Sequence, residues 1–297
     1  MNLDVIREFS LHQWRTGARD LPEGCPEGWL ESGKVLYFPR LRFDLDDSET
    51  RFVDESWADG KAKNISYRGN GEPLRGAQGS QEDLEQLRSM IARFAESAET
   101  LVQGLFPRYR GFIQPGFTSY RTAAVEGRVT SWRKDDTRLH VDSFPSNPTN
   151  GKRLLRVFTN LNPAGAPRVW RVGEPFRNYA ERFFPRAAAP MPGTAWLLDR
   201  LGITKTRRSE YDHFMGQLHD LGKSDLDYQQ HAPQQRFEFP AGATWVVFSD
   251  QVLHAVLAGQ YMLEQTFYLE PEHLAQPELG PLSILENLAG RFLRNGS

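Results

Sequence analysis

Short β-like runs broken by Gly, Pro and Asn, with no strand–helix–strand alternation, constrain this chain most. They run from Gly116 to Thr122, Leu154 to Leu161 and Arg168 to Val172. They return as Phe237-Glu238-Phe239, a Pro240-Ala241-Gly242-Ala243 turn, Thr244 to Phe248, and Tyr261 to Leu269. Consecutive strands without crossover helices pair antiparallel, which excludes doubly wound and TIM-barrel folds. The expected fold is mainly β with flanking helices: a double-stranded β-helix, that is, a jelly-roll of the cupin type. One catalytic domain is expected over 1–297, large enough for a sizeable core. It divides into an N-terminal elaboration (1–105), a jelly-roll core (106–270) with a helical insertion (174–236), and a C-terminal helix (271–297).

The flanking helices announce themselves by period. Ser80 precedes Glu82 and Asp83, a cap followed by acids in the first turn. Leu84, Leu87, Ile91, Phe94, Ala98, Leu101 and Leu105 then recur at steps of three and four until Pro107. A helix of this length is expected to lie along a sheet rather than form a coiled-coil seam. Val35 to Phe38 reads as a strand, Ser209 to Leu221 as a helix, and Leu282, Leu285, Leu288, Ala289 and Phe292 as one helix face.

Net charge is -2, so no global basic bias points to nucleic acid. A lone Cys25 excludes an internal disulfide framework and suits a reducing compartment. No basic, apolar leader is read at the N-terminus, and no apolar run approaches the roughly 20 residues of a membrane span. A cytoplasmic protein, peripheral at most, is the expectation. Charge is uneven, however: between Phe106 and Arg177 stand 13 Lys and Arg against 5 Asp and Glu. Basic residues so near the candidate site below favour an anionic substrate or cosubstrate.

That site begins with His140-Val141-Asp142. On a strand, residues i and i+2 share a face, so imidazole and carboxylate converge. With 7 His and 38 acidic residues in the chain, chance alone supplies this spacing about once, so it decides little by itself. His254 changes the balance, because it follows an apolar strand and a polar turn. Two His and one carboxylate form the facial triad of non-haem iron(II) oxygenases, with three coordination positions left open. Zinc is the competing metal.

The turn, strand and His254 segment resemble the second half of the double-stranded β-helix of 2-oxoglutarate dioxygenases. Those enzymes usually carry a basic residue about ten positions after the distal His; here no Lys or Arg stands between His254 and Arg291, and Glu264 and Gln265 occupy the usual place. The carboxylate anchor must then come from another strand. Arg156, between Leu154 and Phe158 on one strand face, is the first candidate, with Arg168 and Arg121 behind it.

The stretches from His140 to Ser146, Arg156 to Pro163 and Pro167 to Phe176, with Gln265-Thr266-Phe267-Tyr268-Leu269, resemble the Kdo hydroxylase family. The resemblance implies hydroxylation of 3-deoxy-D-manno-oct-2-ulosonic acid (Kdo) of lipopolysaccharide inner core at carbon 3. It implies Fe(II), with 2-oxoglutarate and O2 as cosubstrates, and a Kdo-containing lipid A or core glycolipid as partner. His140, Asp142 and His254 would hold the metal, Arg156 and Arg168 the cosubstrate. Arg121, Trp170 and Arg171 would meet the sugar. A metal-containing jelly-roll carbohydrate-binding protein and a zinc-dependent cupin-like isomerase or hydrolase are the competing readings.

Overall fold

The computed structural model describes residues 3–16, 26–69, 71–127 and 130–294; Cys25 lies outside them. Among the described residues ten strands form two sheets: β1 (Ile6–Glu8), β2 (Val35–Phe38), β3 (Ile65–Tyr67), β4 (Gln114–Arg121), β5 (Arg153–Asn160), β6 (Arg168–Gly173), β7 (Gln234–Phe239), β8 (Thr244–Phe248), β9 (His254–Ala258) and β10 (Met262–Leu269). The large sheet has the order β1-β2-β8-β5-β10-β4-β3 and the small one β7-β6-β9. From β5 onward the chain passes between the sheets, large, small, small, large, small, large. Every pairing is antiparallel except β1 with β2. This is the jelly-roll expected from the strand pattern, with its sheets left open at the edges.

Alternation along the strands assigns the two faces of the large sheet. Leu155, Val157, Val246, Phe248, Leu263 and Phe267 pack with Leu87, Ile91, Phe94, Leu101 and Leu105 of α2 (Gln81–Leu105). Each such fully buried Leu or Phe contributes roughly 1.5–3 kcal/mol. The period-3.6 seam is therefore spent on this sheet, and the Ser80 hydroxyl accepts from Asp83 N as the cap. The opposite face carries Arg156, Phe158, Glu264 and Thr266 into the space between the sheets.

The insertion forms α3 (Phe176–Phe183), α4 (Thr194–Arg200), α5 (Glu210–Ser224) and α6 (Leu226–His231). Tyr179, Phe183, Phe214, Met215 and Leu218 share a core with Leu139, Val141, Leu253 and Ala255, so α3 and α5 cover the small sheet, whereas α4 buries none of its residues. Leu282 and Leu285 of α7 (Pro281–Ala289) join the same core, whereas Phe292, beyond the helix, is exposed. The face expected over Leu282 to Phe292 is thus docked at one end and ends before Phe292.

Candidate metal centre

The segment 139–142 is extended but pairs with β9 through a single bridge, His140 with His254, rather than as a strand. The two residues exchange both backbone hydrogen bonds (His140 N to His254 O 3.0 Å, His254 N to His140 O 2.8 Å). Alternation does the rest: Leu139 and Val141 enter the helical core, and His140 and Asp142 face the cavity. Leu253 and Ala255 flank His254 in the same way.

Three contacts fix this register. The amide of Gln229 on α6 accepts from Leu139 N (2.7 Å) and donates to Leu139 O (3.0 Å), standing in for a neighbouring strand. Asp142 N donates to Ser249 O (2.9 Å). The next residue in that turn, Asp250, is gripped by the buried Arg153 guanidinium (2.7 and 3.4 Å). Gly173 allows the close approach of the two ligand segments: a Cβ there would lie 2.8 Å from Leu139 Cδ2 and 3.0 Å from Leu253 Cβ.

The candidate ligand atoms of His140, Asp142 and His254 lie within 4.8 Å of one another. His140 Nδ1 donates to Arg138 O (2.7 Å) and His254 Nδ1 to Val252 O (2.8 Å). A carbonyl accepts only, so it selects the Nδ1–H tautomer and leaves each Nε2 with its lone pair for a metal. Burial, helped by the mutual repulsion of the two imidazoles and by Lys223, pushes His140 well below its ordinary pKa; burial also lowers His254. Burial would raise Asp142, but the Arg156 guanidinium and the neighbouring imidazoles hold it far below the usual carboxylate range. Two neutral imidazoles and one carboxylate are the protonation states a divalent cation needs. Asp142 Oδ2 is buried with no directed hydrogen bond, although Arg156 Nη1 stands 3.1 Å away. This donor set fits a borderline divalent metal with open positions, iron(II) or zinc alike.

His140, Asp142 and His254 sit in the wall of a cavity of about 1040 Å³. A chain of charges crosses it: Asp142 Oδ2 to Arg156 Nη1 (3.1 Å), Arg156 Nη1 to Glu264 Oε1 (3.1 Å), Glu264 Oε2 to Arg121 Nη2 (2.5 Å). Burial raises and the two guanidiniums lower the Glu264 carboxyl, with the net effect downward. The place where a basic anchor is usual therefore holds an acid that fixes two arginines. Residue type alone gave no sign of that role; β4–β10 and β5–β10 pairing did.

Arg168 lines the cavity too and donates to Gly259 O (2.8 Å). The other sequence candidates divide. Trp170 lines the cavity as well; it is 1% exposed and stacks on the His254 ring (5.0 Å, 23°). Arg171 points to the other face of β6, where its guanidinium donates to Thr137 O (2.7 Å), and it does not line the cavity. Period 2 on β6 already forbade Arg168 and Arg171 from sharing a face. No pattern in the sequence singles out Lys63 and Lys223, which do line the cavity; His219, a histidine of the insertion, lines it too, its ring meeting His140 edge-on at 5.5 Å. Lys223 is 1% exposed and its ammonium donates to Arg133 O (2.9 Å).

A family model described as 3-deoxy-D-manno-oct-2-ulosonic acid (Kdo) hydroxylase matches residues 23–292. Similar solved structures include Kdo hydroxylase KdoO, a non-heme Fe(II) alpha-ketoglutarate dependent dioxygenase, in complex with alpha-ketoglutarate and Fe(III). That match has 48% identity over 97% of both chains and a TM-score of 0.92. The cobalt(II) complex of KdoO matches with 48% identity over 99% of both chains and a TM-score of 0.95. Its apo structure matches with 49% identity over 97% of both chains and a TM-score of 0.93. Comparison with curated proteins returned no match.

Proposed function

Because the chain belongs to the Kdo hydroxylase family, we propose that it hydroxylates Kdo of lipopolysaccharide inner core at carbon 3, with iron(II), 2-oxoglutarate and oxygen. The observation that carries this reading is the cluster of His140, Asp142 and His254 within 4.8 Å, both imidazoles locked in the ligating tautomer. Iron(II) held by these three would supply the oxidising chemistry, with oxygen and 2-oxoglutarate consumed and succinate formed. A carboxylate from the protein fills the position that a halide would need, so hydroxylation is favoured over halogenation.

The chain's own residues divide the binding work. Arg156 is already shared by Asp142 and Glu264, so its first effect is to brace the ligand carboxylate. Arg168 lies on β6 four residues along from Val172, the partner of His254 in the register, which is roughly 13 Å of strand. Its long side chain is suited to the far carboxylate of a dicarboxylate whose near end chelates the metal. Arg156 remains the sequence candidate for that role, and comparing alanine variants of the two separates them. Arg121 and Lys223, both in the cavity, suit the anionic sugar. Burial lowers the pKa of Lys223 while Asp136, Asp142 and Asp135 oppose the shift. A buried cation costs stability unless an anion meets it, and the substrate carboxylate would do so.

We read the whole chain as one catalytic unit working as a peripheral protein on the cytoplasmic face of the inner membrane. Among the described residues no helix is long and apolar enough to cross a membrane. The surface that supports peripheral binding is α4 and its flanks. Met191, Trp196, Leu197, Leu201 and Ile203 are all exposed there, and Arg200 and Lys205 are exposed beside them. Trp at a boundary, with cations next to it, suits an anionic lipid surface. Lys205 N donates to Ser146 O, and both residues line the cavity, so this patch borders its mouth. Flotation with anionic liposomes tests it: binding lost in Trp196→Ala/Leu201→Ala is expected, and equal binding refutes it. For the reaction itself, an acceptor deuterated at Kdo carbon 3 should gain one oxygen and lose one deuterium by mass spectrometry. Retention of all deuterium moves the hydroxylation elsewhere on the sugar.

A further inference from the structure

A second hollow, of about 480 Å³, adjoins the main cavity and shares Phe117, Asn147, Lys205 and Tyr268 with it. Its lining brings Arg68, Lys152 and Lys205 together, with no Asp or Glu among its described lining residues. The Phe117 ring meets two cations, with the Arg68 guanidinium 4.6 Å and the Lys205 ammonium 5.3 Å from its centre. Of the three cations, Lys152 and Arg68 have acids beside them from outside the hollow: Glu270 at 3.2 Å from Lys152, and Glu72 at 3.8 Å from Arg68. Burial, and after it the nearby Arg68 and Arg75, lowers the Lys205 pKa, so an anion bound there would relieve repulsion among the cations.

We infer that this hollow is an anion subsite for a second acidic group of the acceptor, a phosphate or a carboxylate beyond the sugar that is hydroxylated. Planar guanidinium and ammonium donors around an aromatic floor suit such a group on a carbohydrate. The spacing sets its size. Tyr268, in the hollow, and Glu264, paired to Arg156 beside the metal ligands, lie on the same face of β10, four residues or roughly 13 Å apart. One monosaccharide does not span both places, whereas a Kdo unit joined to a phosphorylated or acidic neighbour does. The inference rests on the proposed hydroxylase reading and sharpens it: the acceptor is an anionic glycoconjugate, and free Kdo is a poor substrate.

The test has a binding arm and a turnover arm, using Arg68→Ala/Lys152→Ala, two positions that line only the second hollow. In the binding arm, inorganic pyrophosphate is titrated calorimetrically into the protein. The double variant should bind it about tenfold more weakly, the effect of losing a charge-assisted contact; equal affinity overturns the subsite, whatever the reaction proves to be. In the turnover arm, KM is compared for free Kdo, an unphosphorylated Kdo disaccharide and a phosphorylated Kdo–lipid A. A rise of about tenfold confined to the phosphorylated acceptor identifies phosphate; a rise for the disaccharide as well identifies the second carboxylate. Equal shifts for all three, free sugar included, overturn the inference. Absence of hydroxylation by the unaltered enzyme with every acceptor refutes the reaction and leaves the pyrophosphate result to decide the site.

Discussion

Replacing Glu264 with Gln should destabilise the protein strongly for a change of one atom. Glu264 is 3% exposed, and its two oxygens hold Arg121 at 2.5 Å and Arg156 at 3.1 Å. Gln keeps one acceptor oxygen but turns an amide donor toward the other guanidinium. A buried pair broken on one side typically costs about 3–5 kcal/mol, because the remaining charge stays buried. For a chain of this size that corresponds to a fall in Tm of roughly 5–8 °C. Thermal unfolding of the metal-free protein, followed by circular dichroism, measures it. A dicarboxylate such as 2-oxoglutarate should restore part of the loss, since it brings back negative charge beside the two arginines. The pH dependence has a definite sign. The folded carboxyl titrates below its unfolded value, so its stabilisation is present above the ordinary Glu range and fades as pH falls through the folded pKa. Glu264→Gln should therefore differ most from the parent near neutrality and least in acid. A Tm within about 2 °C of the parent at neutral pH would refute the claim that this acid holds the arginines in place.

Arg168→Ala should raise the 2-oxoglutarate requirement roughly ten- to hundredfold in steady-state kinetics, and Arg156→Ala should weaken metal binding as well; the reverse pattern returns the anchor to Arg156. Gly173→Ala should push Leu139 and Leu253 apart and reduce metal affinity measured by competition with a chelating dye, with secondary structure retained; unchanged affinity means the two segments adjust freely. Trp170→Ala should cost about 3–5 kcal/mol in urea unfolding, as befits a core residue stacked on His254; a loss under 1 kcal/mol would return Trp170 to the role of a sugar platform.

Much of this architecture was legible because it rests on local periodicity. The α2 seam, the cap at Ser80 and the strands at Val35–Phe38 and Thr244–Phe248 follow from side-chain spacing, and the structure has them. The approach of His140 and Asp142 to His254 was legible as a chemical combination and not as geometry, since more than a hundred residues separate the two segments. What stayed hidden depends on which strands pair. Glu264 acquires its meaning only because β10 lies between β4 and β5, bringing it to Arg121 and Arg156. Gln229 supports the His140 segment from an inserted helix, a contact that no pattern within either segment announces. Arg171 was the opposite case, because alternation along β6 was sufficient to exclude it from the face of Arg168 and Trp170.

The most direct test supplies the purified protein with iron(II), 2-oxoglutarate, oxygen and a Kdo-containing lipid A, and measures succinate and hydroxylated glycolipid together, beside Asp142→Ala. The two products should form in equal amounts with the parent, neither without iron(II), and neither coupled product with the variant. Hydroxylation that continues in Asp142→Ala, or that forms no succinate, would contradict the proposed reaction.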